Sequence, residues 1–322
     1  KMGCASVDRV LNALEHLAKD LDVESHLWTG LRTDLRLVRT FVLCARKYWR
    51  SSNRMISWES LGSFMRSIFL YFKSDENASL GSLLHSLEDA VNRIGKELDS
   101  IRLGVEERFY PRSHMKAYFI GMVEDFRGSL WSFTQKINES YSNITALGYS
   151  LQSRDELMEF IDLLLANMED LLDLGNVYLG TLISYIKEKL EFFKRFILFA
   201  ELKGFQHRQL KVLLTHLELV AVNAAASVFF ISTGRKRDAI VRDEMKTKIS
   251  GVLAKVMSVE PQMLESYIKV LTATDWKRSS NILATNRRLL EHHVFFLLDS
   301  LDKLLCRDAV LIINFEEQIP LP

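Results

Sequence analysis

IKEKLEFFKRFILFAELKG, at Ile186–Gly204, and LRTDLRLVRTFVLCARKY, at Leu31–Tyr48, are the two stretches that decide the fold. In each, apolar residues recur at steps of 4, 3, 4 and 3, which is the spacing of one face of an α-helix. A second apolar row beside the first makes this face too wide for a helix that faces water. The matching positions lie at a constant offset of 155 residues: Leu31 and Ile186, Leu35 and Leu190, Val38 and Phe193, Val42 and Ile197, Ala45 and Ala200, Leu37 and Phe192, Phe41 and Phe196, Cys44 and Phe199. The sequence therefore predicts an all-α protein in which both stretches are core helices of one repeated unit.

The repeat extends beyond these two helices and predicts how the chain is divided. SVDRVLNALEHLAKDL from Ser6 resembles MEFIDLLLANMEDLLDL from Met158, and MKAYFIGMVEDF from Met115 resembles MLESYIKVLTATDW from Met263. Matching helices in the same order are typical of tandem bundles and not of a short-period solenoid. We predict a first bundle over residues 1–150 and a second over 151–306 that ends with a helix at 282–306, followed by a linker or tail over 307–322.

Local signals predict two interruptions in the helical pattern. The polar segment Lys73–Ser79 is expected to be a loop between a helix that begins at Ser57 and a long helix at Leu80–Leu103. Pro261 is expected to open a new helix after one at Ala239–Met257, because proline suits the first turn of a helix.

Composition and charge narrow the class of protein. The 322 residues are 48% hydrophobic and 26% charged, enough to fill cores and keep a solvated surface. With 42 basic and 41 acidic side chains the net charge is +1, so no global field would collect nucleic acid or press the protein onto an anionic membrane. Cys4, Cys44 and Cys306 are odd in number and far apart, as expected of reduced thiols. We predict a cytoplasmic protein, with the nucleus as a second location, that does not bind nucleic acid.

The apolar segments predict neither membrane insertion nor secretion. The longest, Leu219–Ile231, is interrupted by Asn223 and Ser227 and is shorter than the roughly 18 residues that a membrane span needs. Lys1–Asp20 is amphipathic and is not a basic patch followed by an apolar block, so it does not match a signal peptide.

Sequence motifs that carry catalysis or cofactor binding do not occur in the chain. Neither G-x-x-x-x-G-K-[ST] nor G-x-G-x-x-G is found. His292 and His293 are adjacent and would point about 100° apart on a helix, so they cannot share a metal ion. His85, His114, His207 and His216 are scattered along the chain and have no Cys or carboxylate partners at zinc spacing. We predict a non-catalytic protein without a cofactor or a metal site.

A short basic turn, Arg235-Lys236-Arg237 after Gly234, supplies the candidate interaction residues. Such a turn is usually a solvated loop, but it can also contact phosphate or an acidic protein surface. A nucleic-acid-binding bundle that uses this turn is an alternative, and it predicts steeply salt-dependent binding. The five tryptophans mostly lie near predicted helix ends, where core or rim packing is the default, although interface hot spots use the same residue type and the sequence does not choose between them: Trp28, Trp49, Trp58, Trp131 and Trp276.

Several of the helix patterns carry a family resemblance. LRLVRTF at Leu35–Phe41 follows a helix of the VLNALEHL kind, and MEFIDLLLANMEDLL, KLEFFKRFILFA and HLELVAVNAAASVFF follow in that order. These phrases resemble the extended N-terminal Solanaceae domain of plant coiled-coil nucleotide-binding leucine-rich-repeat (NLR) immune receptors. Receptors for late blight, nematodes and tospovirus, and the kinase-associated tomato receptor, carry such domains.

The resemblance implies a recognition and regulatory module of a disease-resistance receptor. Its partners would be a pathogen effector protein, a guarded host protein such as a kinase, other domains of the same receptor, or a second copy of the chain. The alternative is a self-associating helical scaffold that is unrelated to immunity, which light scattering and the neighbouring coding sequence would separate from the first reading.

Overall fold

The protein is helical throughout the part of the chain that the computed structural model describes, which is residues 4–54, 63–107, 110–147, 154–173, 177–202, 207–233 and 239–272. Within these ranges there is no strand, which confirms the predicted all-α class. The helices are α1 (Cys4–Asp20), α2 (Ser25–Arg54), α3 (Ser63–Glu106), α4 (Arg112–Trp131), α5 (Thr134–Leu147), α6 (Arg154–Asp173), α7 (Val177–Leu202), α8 (His207–Thr233) and α9 (Ala239–Thr272).

The helices pack in two rings of four with the same order of neighbours. In the first ring α1 contacts α2 and α3, and α4 closes the ring by packing against both α2 and α3. In the second ring α6 contacts α7 and α8, and α9 closes it against both α7 and α8. Because α2 and α7 hold matching places in these rings, the arrangement agrees with the repeat read from the sequence.

The α2 helix joins the two rings into one core. It packs against α1, α3 and α4 of its own ring, against α6 and α8 of the second, and against α5. The buried side chains accordingly form one continuous hydrophobic cluster. A domain boundary near residue 150 stays a prediction, and residues 282–306 and 307–322 lie outside the described part of the chain.

The apolar positions shared by α2 and α7 are core positions in both helices. Phe41 and Phe196, which match at the repeat offset, are both 0% exposed. Every other matched position with a described side chain is also buried; the Phe199 side chain is not among those described. The two helices differ in their surroundings, since among the described helices α7 packs mainly against α6 and α9.

Two predicted interruptions are wrong, because the helices continue through them. Lys73–Ser79 lies inside α3, a helix of 44 residues. This segment contains neither Gly nor Pro, and Lys, Glu and Ala are strong helix formers, so the flanking helices can extend through it. Pro261 lies inside α9, although a proline in a helix interior costs about 3 kcal/mol. The apolar face of α9 is buried up to Val259, two residues before the proline, and the helix continues past it.

The apolar part of α8 is longer than the segment Leu219–Ile231 that was compared with a membrane span in the sequence. Within the described residues, Leu210–Thr233 reaches the length and apolar composition of a membrane span by those two criteria alone. About two thirds of its most apolar window is buried inside the protein, which is the environment of a core helix. The predicted absence of a membrane span stays a prediction.

Candidate interaction groove

The α5 helix is amphipathic, and its apolar face fixes where its polar face points. Ile137, Tyr141 and Ile144 follow one another at helical spacing and are buried where α5 packs against α2 and α8. The Tyr141 ring lies 5.2 Å from the Phe41 ring in an edge-on contact and 5.9 Å from the Phe229 ring. Burial raises the Tyr141 pKa well above its ordinary value, as expected of a phenol that serves as a core side chain. The opposite face of α5 is therefore held at the surface.

That polar face forms one wall of a groove of about 670 Å³. The α9 helix supplies the other wall, and α8 forms the floor between them. Each helix contributes a stripe at steps of three and four residues, so one face of each is turned to the same space. The lining is Trp131 with Thr134, Gln135, Asn138, Glu139, Tyr141, Ser142 and Thr145 from the α5 side; Asn223, Ala226, Ser227 and Phe230 from α8; and Glu244, Thr247, Lys248, Gly251, Val252 and Lys255 from α9.

Two lysines dominate the α9 wall. The Lys248 ammonium lies 4.7 Å from the centre of the Phe230 ring and 3.6 Å from the Glu244 carboxylate. The Lys255 ammonium donates to the amide oxygen of Asn223 at 2.9 Å. These contacts hold both ammonium groups over the floor of the groove, and both lysines stay in its lining.

A tryptophan lies at the rim of the groove. Trp131 is 49% exposed and lies near the carboxylate of Asp34. The Asp34 carboxylate also accepts from the Arg127 guanidinium at 3.0 Å. Burial raises the Asp34 pKa, and the hydrogen bonds from Arg127 and Trp131 oppose that rise. The result is a large aromatic surface that faces solvent at the rim of the groove, a feature typical of interface anchors.

Polar contacts between α2 and α6 hold the second ring, and with it the groove, against the first ring. Arg36 donates from one guanidinium nitrogen to both carboxylate oxygens of Asp170, at 2.9 and 3.0 Å. The buried amide of Asn167 donates to the Thr40 hydroxyl at 2.7 Å. Arg36 and Thr40 both lie in the LRLVRTF phrase, so the residues behind the family resemblance connect the two rings.

A buried ion pair makes the matching contact between α2 and the groove floor helix. The Lys47 ammonium lies 3.1 Å from the Glu218 carboxylate, and the two side chains are only 12% and 2% exposed. Burial raises the Glu218 pKa, and Lys47 opposes that rise. Because both groups have lost most of their water, the pair fixes the register of α8 on α2 more than it adds stability.

The predicted interaction residues Arg235, Lys236 and Arg237 lie outside the described part of the chain, and so do His292 and His293. The role of the basic turn stays a prediction. Among the described residues, no group of three or more His, Cys, Asp or Glu side chains could hold a metal ion.

Sequence reasoning missed the groove, although two local signals pointed toward it. Asn223, Ala226 and Ser227 interrupt the apolar pattern of α8, and they form much of the floor. Gly251 interrupts the pattern of α9, and a Cβ added there would meet no atom within 4 Å. Small and polar residues inside a core helix signal either a neighbour that approaches closely or an open space, and here they mark an open space.

Gly251→Ala is expected to stabilise the protein by about 0.5–1 kcal/mol, because glycine in a helix interior costs that much relative to alanine. The space around Gly251 accepts the added methyl group without a clash. Urea denaturation followed by circular dichroism measures the change. A loss of stability would contradict the open space beside Gly251, because it would show that another side chain already occupies that space.

Comparison with known proteins identifies the family. The protein-family model described as "NB-LRR: Late blight resistance protein R1" matches residues 127–317, which is more than half of the chain and includes α5, α8 and α9. No curated protein and no solved structure matches the chain. The family match agrees with the resemblance read from the helix phrases, and the chain is a domain of a plant disease-resistance receptor. It belongs to the late blight resistance protein R1 family of NB-LRR proteins.

Proposed function

We propose that this chain is a non-catalytic interaction and regulatory domain of its receptor. It would recognise a pathogen effector protein, either directly or through a guarded host protein such as a kinase, and thereby modulate receptor activation. The observation that carries the proposal is the groove between α5 and α9, with the half-exposed Trp131 at its rim. Both wall helices and the floor helix lie in the region that the family match covers.

The chemistry of the groove favours binding over catalysis. The hydroxyl groups of Ser142, Ser227 and Thr247 donate to carbonyl oxygens one turn earlier in their own helices. A hydroxyl held in this way has its proton engaged by its own helix, which makes it a poor nucleophile. The same oxygens still accept hydrogen bonds, and with Trp131 they give a surface that is partly polar and partly aromatic, as at many protein interfaces.

Trp131→Ala is expected to weaken recognition strongly, since a buried interface tryptophan commonly contributes 2 kcal/mol or more, on the order of thirtyfold in affinity. The test is the pathogen response of leaves that express the complete receptor with this substitution. Tyr110→Ala is the matched control, because Tyr110 is also an exposed aromatic residue but does not line the groove. Equal expression of the two variants has to be shown on immunoblots.

The proposal predicts loss of response for Trp131→Ala and a retained response for Tyr110→Ala. A full response from both variants would contradict the proposal that the groove is part of the recognition surface. Light scattering on the purified chain is a separate measurement, and it tests the proposed self-association through a change of mass with concentration. We propose a cytoplasmic location for these encounters, with the nucleus as a second site.

A further inference from the structure

The groove has the length of about three turns of an α-helix. Its two walls run from Thr134 to Thr145 on α5 and from Glu244 to Lys255 on α9. Each wall covers eleven residue steps, or about 16 Å at 1.5 Å per residue, which is about three helical turns. Because α5 and α9 both pack against α8, the space between them, as the described residues line it, has the surroundings that another helix of a bundle would have.

Small side chains along the groove allow a close approach of a partner backbone. Ala226 and Ser227 form the middle of the floor, and Gly251 lies on the α9 wall with open space above its Cα. Small residues at a helix–helix contact shorten the distance between the two axes, which depends on the side chains at the crossing. An extended peptide would gain no comparable advantage, since the groove exposes no strand edge that could pair with it among the described residues.

The charges on the α9 wall specify what such a helix should carry. Lys248 and Lys255 are seven residues apart, so they lie on the same face of α9 and about 10 Å apart along its axis. Among the described residues Lys255 is hydrogen-bonded to a neutral amide, which does not neutralise its positive charge, and the Glu139 carboxylate of the lining lies on the opposite wall. Lys248 lies beside Glu244, an exposed residue whose ion pair with it is weak. Carboxylates seven residues apart on a partner helix would match the two ammonium groups in spacing and sign.

We infer that the groove binds an α-helical segment of about three turns from a partner protein, with carboxylates seven residues apart facing Lys248 and Lys255. This inference rests on the proposed function and deepens it, because it names the kind of segment through which a pathogen or host protein is recognised. Trp131 at the rim receives an apolar side chain of the same segment.

A displayed library of helix-forming peptides of about 18 residues tests this directly. The positions of one face, at i, i+3, i+4, i+7 and i+8, are randomised, and binders are selected on the immobilised full chain. The expected binders carry Asp or Glu at both i and i+7 and lose at least about tenfold in affinity on the Gly251→Trp variant, whose indole fills the groove. The control is Gly121→Trp, since Gly121 is an equally open glycine on α4, outside the groove.

A charge exchange gives the sharper result. The double variant Lys248→Glu and Lys255→Glu should weaken the selected acidic peptides by about tenfold or more, and peptides with Lys at i and i+7 should bind it instead. Lys246→Glu, on α9 but not in the lining, should leave binding unchanged. Thermal melts establish that each variant is folded.

Failure to select any binder, or binders that keep their affinity for Gly251→Trp, would overturn the inference. Binders without the paired acidic residues would also overturn it.

The outcome is separable from that of the proposed function. Peptides that bind as described, together with a full pathogen response from receptors carrying groove substitutions, would leave the helix-binding groove in place and remove its role in recognition. If groove substitutions abolish the pathogen response but no acidic helical peptide binds, the groove keeps its role in recognition and the inference of an acidic helix is wrong.

Discussion

Phe41→Ala and Phe196→Ala should each lower the free energy of unfolding by about 3–5 kcal/mol, the usual cost of replacing a buried phenylalanine with alanine. Both side chains are fully buried, and they hold the same place in the two copies of the repeat. Phe41 loses in addition its edge-on contact with Tyr141, the core residue that fixes α5. A loss of this size is a large part of the total stability of a domain.

Urea denaturation measures both changes, and the matched control is Leu198→Ala. Leu198 lies on α7 two residues after Phe196 but is among the exposed large hydrophobic residues. Its truncation should cost well under the cost of either phenylalanine, on the order of 1 kcal/mol or less. Equal costs for Phe196→Ala and Leu198→Ala would contradict the assignment of the α7 face that points into the core.

Lys47→Met should destabilise the protein by about 3 kcal/mol, because it leaves the Glu218 carboxylate buried without its neighbouring ammonium. The side chain of Glu218 is almost fully enclosed between α2 and α8, and its raised pKa reflects the cost of holding a charge there. The double variant Lys47→Met and Glu218→Leu removes both charges and should recover most of the loss. Chemical denaturation of the two single variants and the double variant completes the cycle.

A Lys47→Met variant as stable as the unchanged protein would contradict the buried ion pair. A double variant no more stable than Lys47→Met would assign the loss to side-chain packing, and not to the stranded charge. In both cases the Lys47–Glu218 pair would no longer explain how α8 keeps its register on α2. The contact between these two helices would then need a different account.

The local fold was predictable where local pattern and tertiary packing agree. The shared face of α2 and α7 was read from spacing alone, because a wide apolar stripe has no stable place outside a core. At Pro261 and at Lys73–Ser79 the local signals favoured a break, and packing or helix propensity overrode them. Single-residue signals decide a helix end only when the flanking segments do not continue the same apolar face.

The polar contacts between the rings and the groove depend on tertiary placement, which the sequence does not display. Arg36 reads as a charged residue beside an apolar stripe, yet its partner Asp170 lies in the other ring. Trp131 could have been a core residue by its position at a helix end. In the structure it is the last residue of α4 and is 49% exposed. The family, by contrast, was recognisable, because the phrases that carry the resemblance are themselves core and inter-ring residues.

The most direct test of the recognition groove is the pathogen response of the complete receptor with Gly251→Trp, compared with the receptor that carries Gly121→Trp. At both glycines an added Cβ meets no atom within 4 Å, so both variants are expected to fold and to accumulate equally. The account predicts that Gly251→Trp abolishes the response, because its indole occupies the groove, and that Gly121→Trp retains it. An unimpaired response from Gly251→Trp, with the protein shown to be folded, would contradict the groove as the site of recognition.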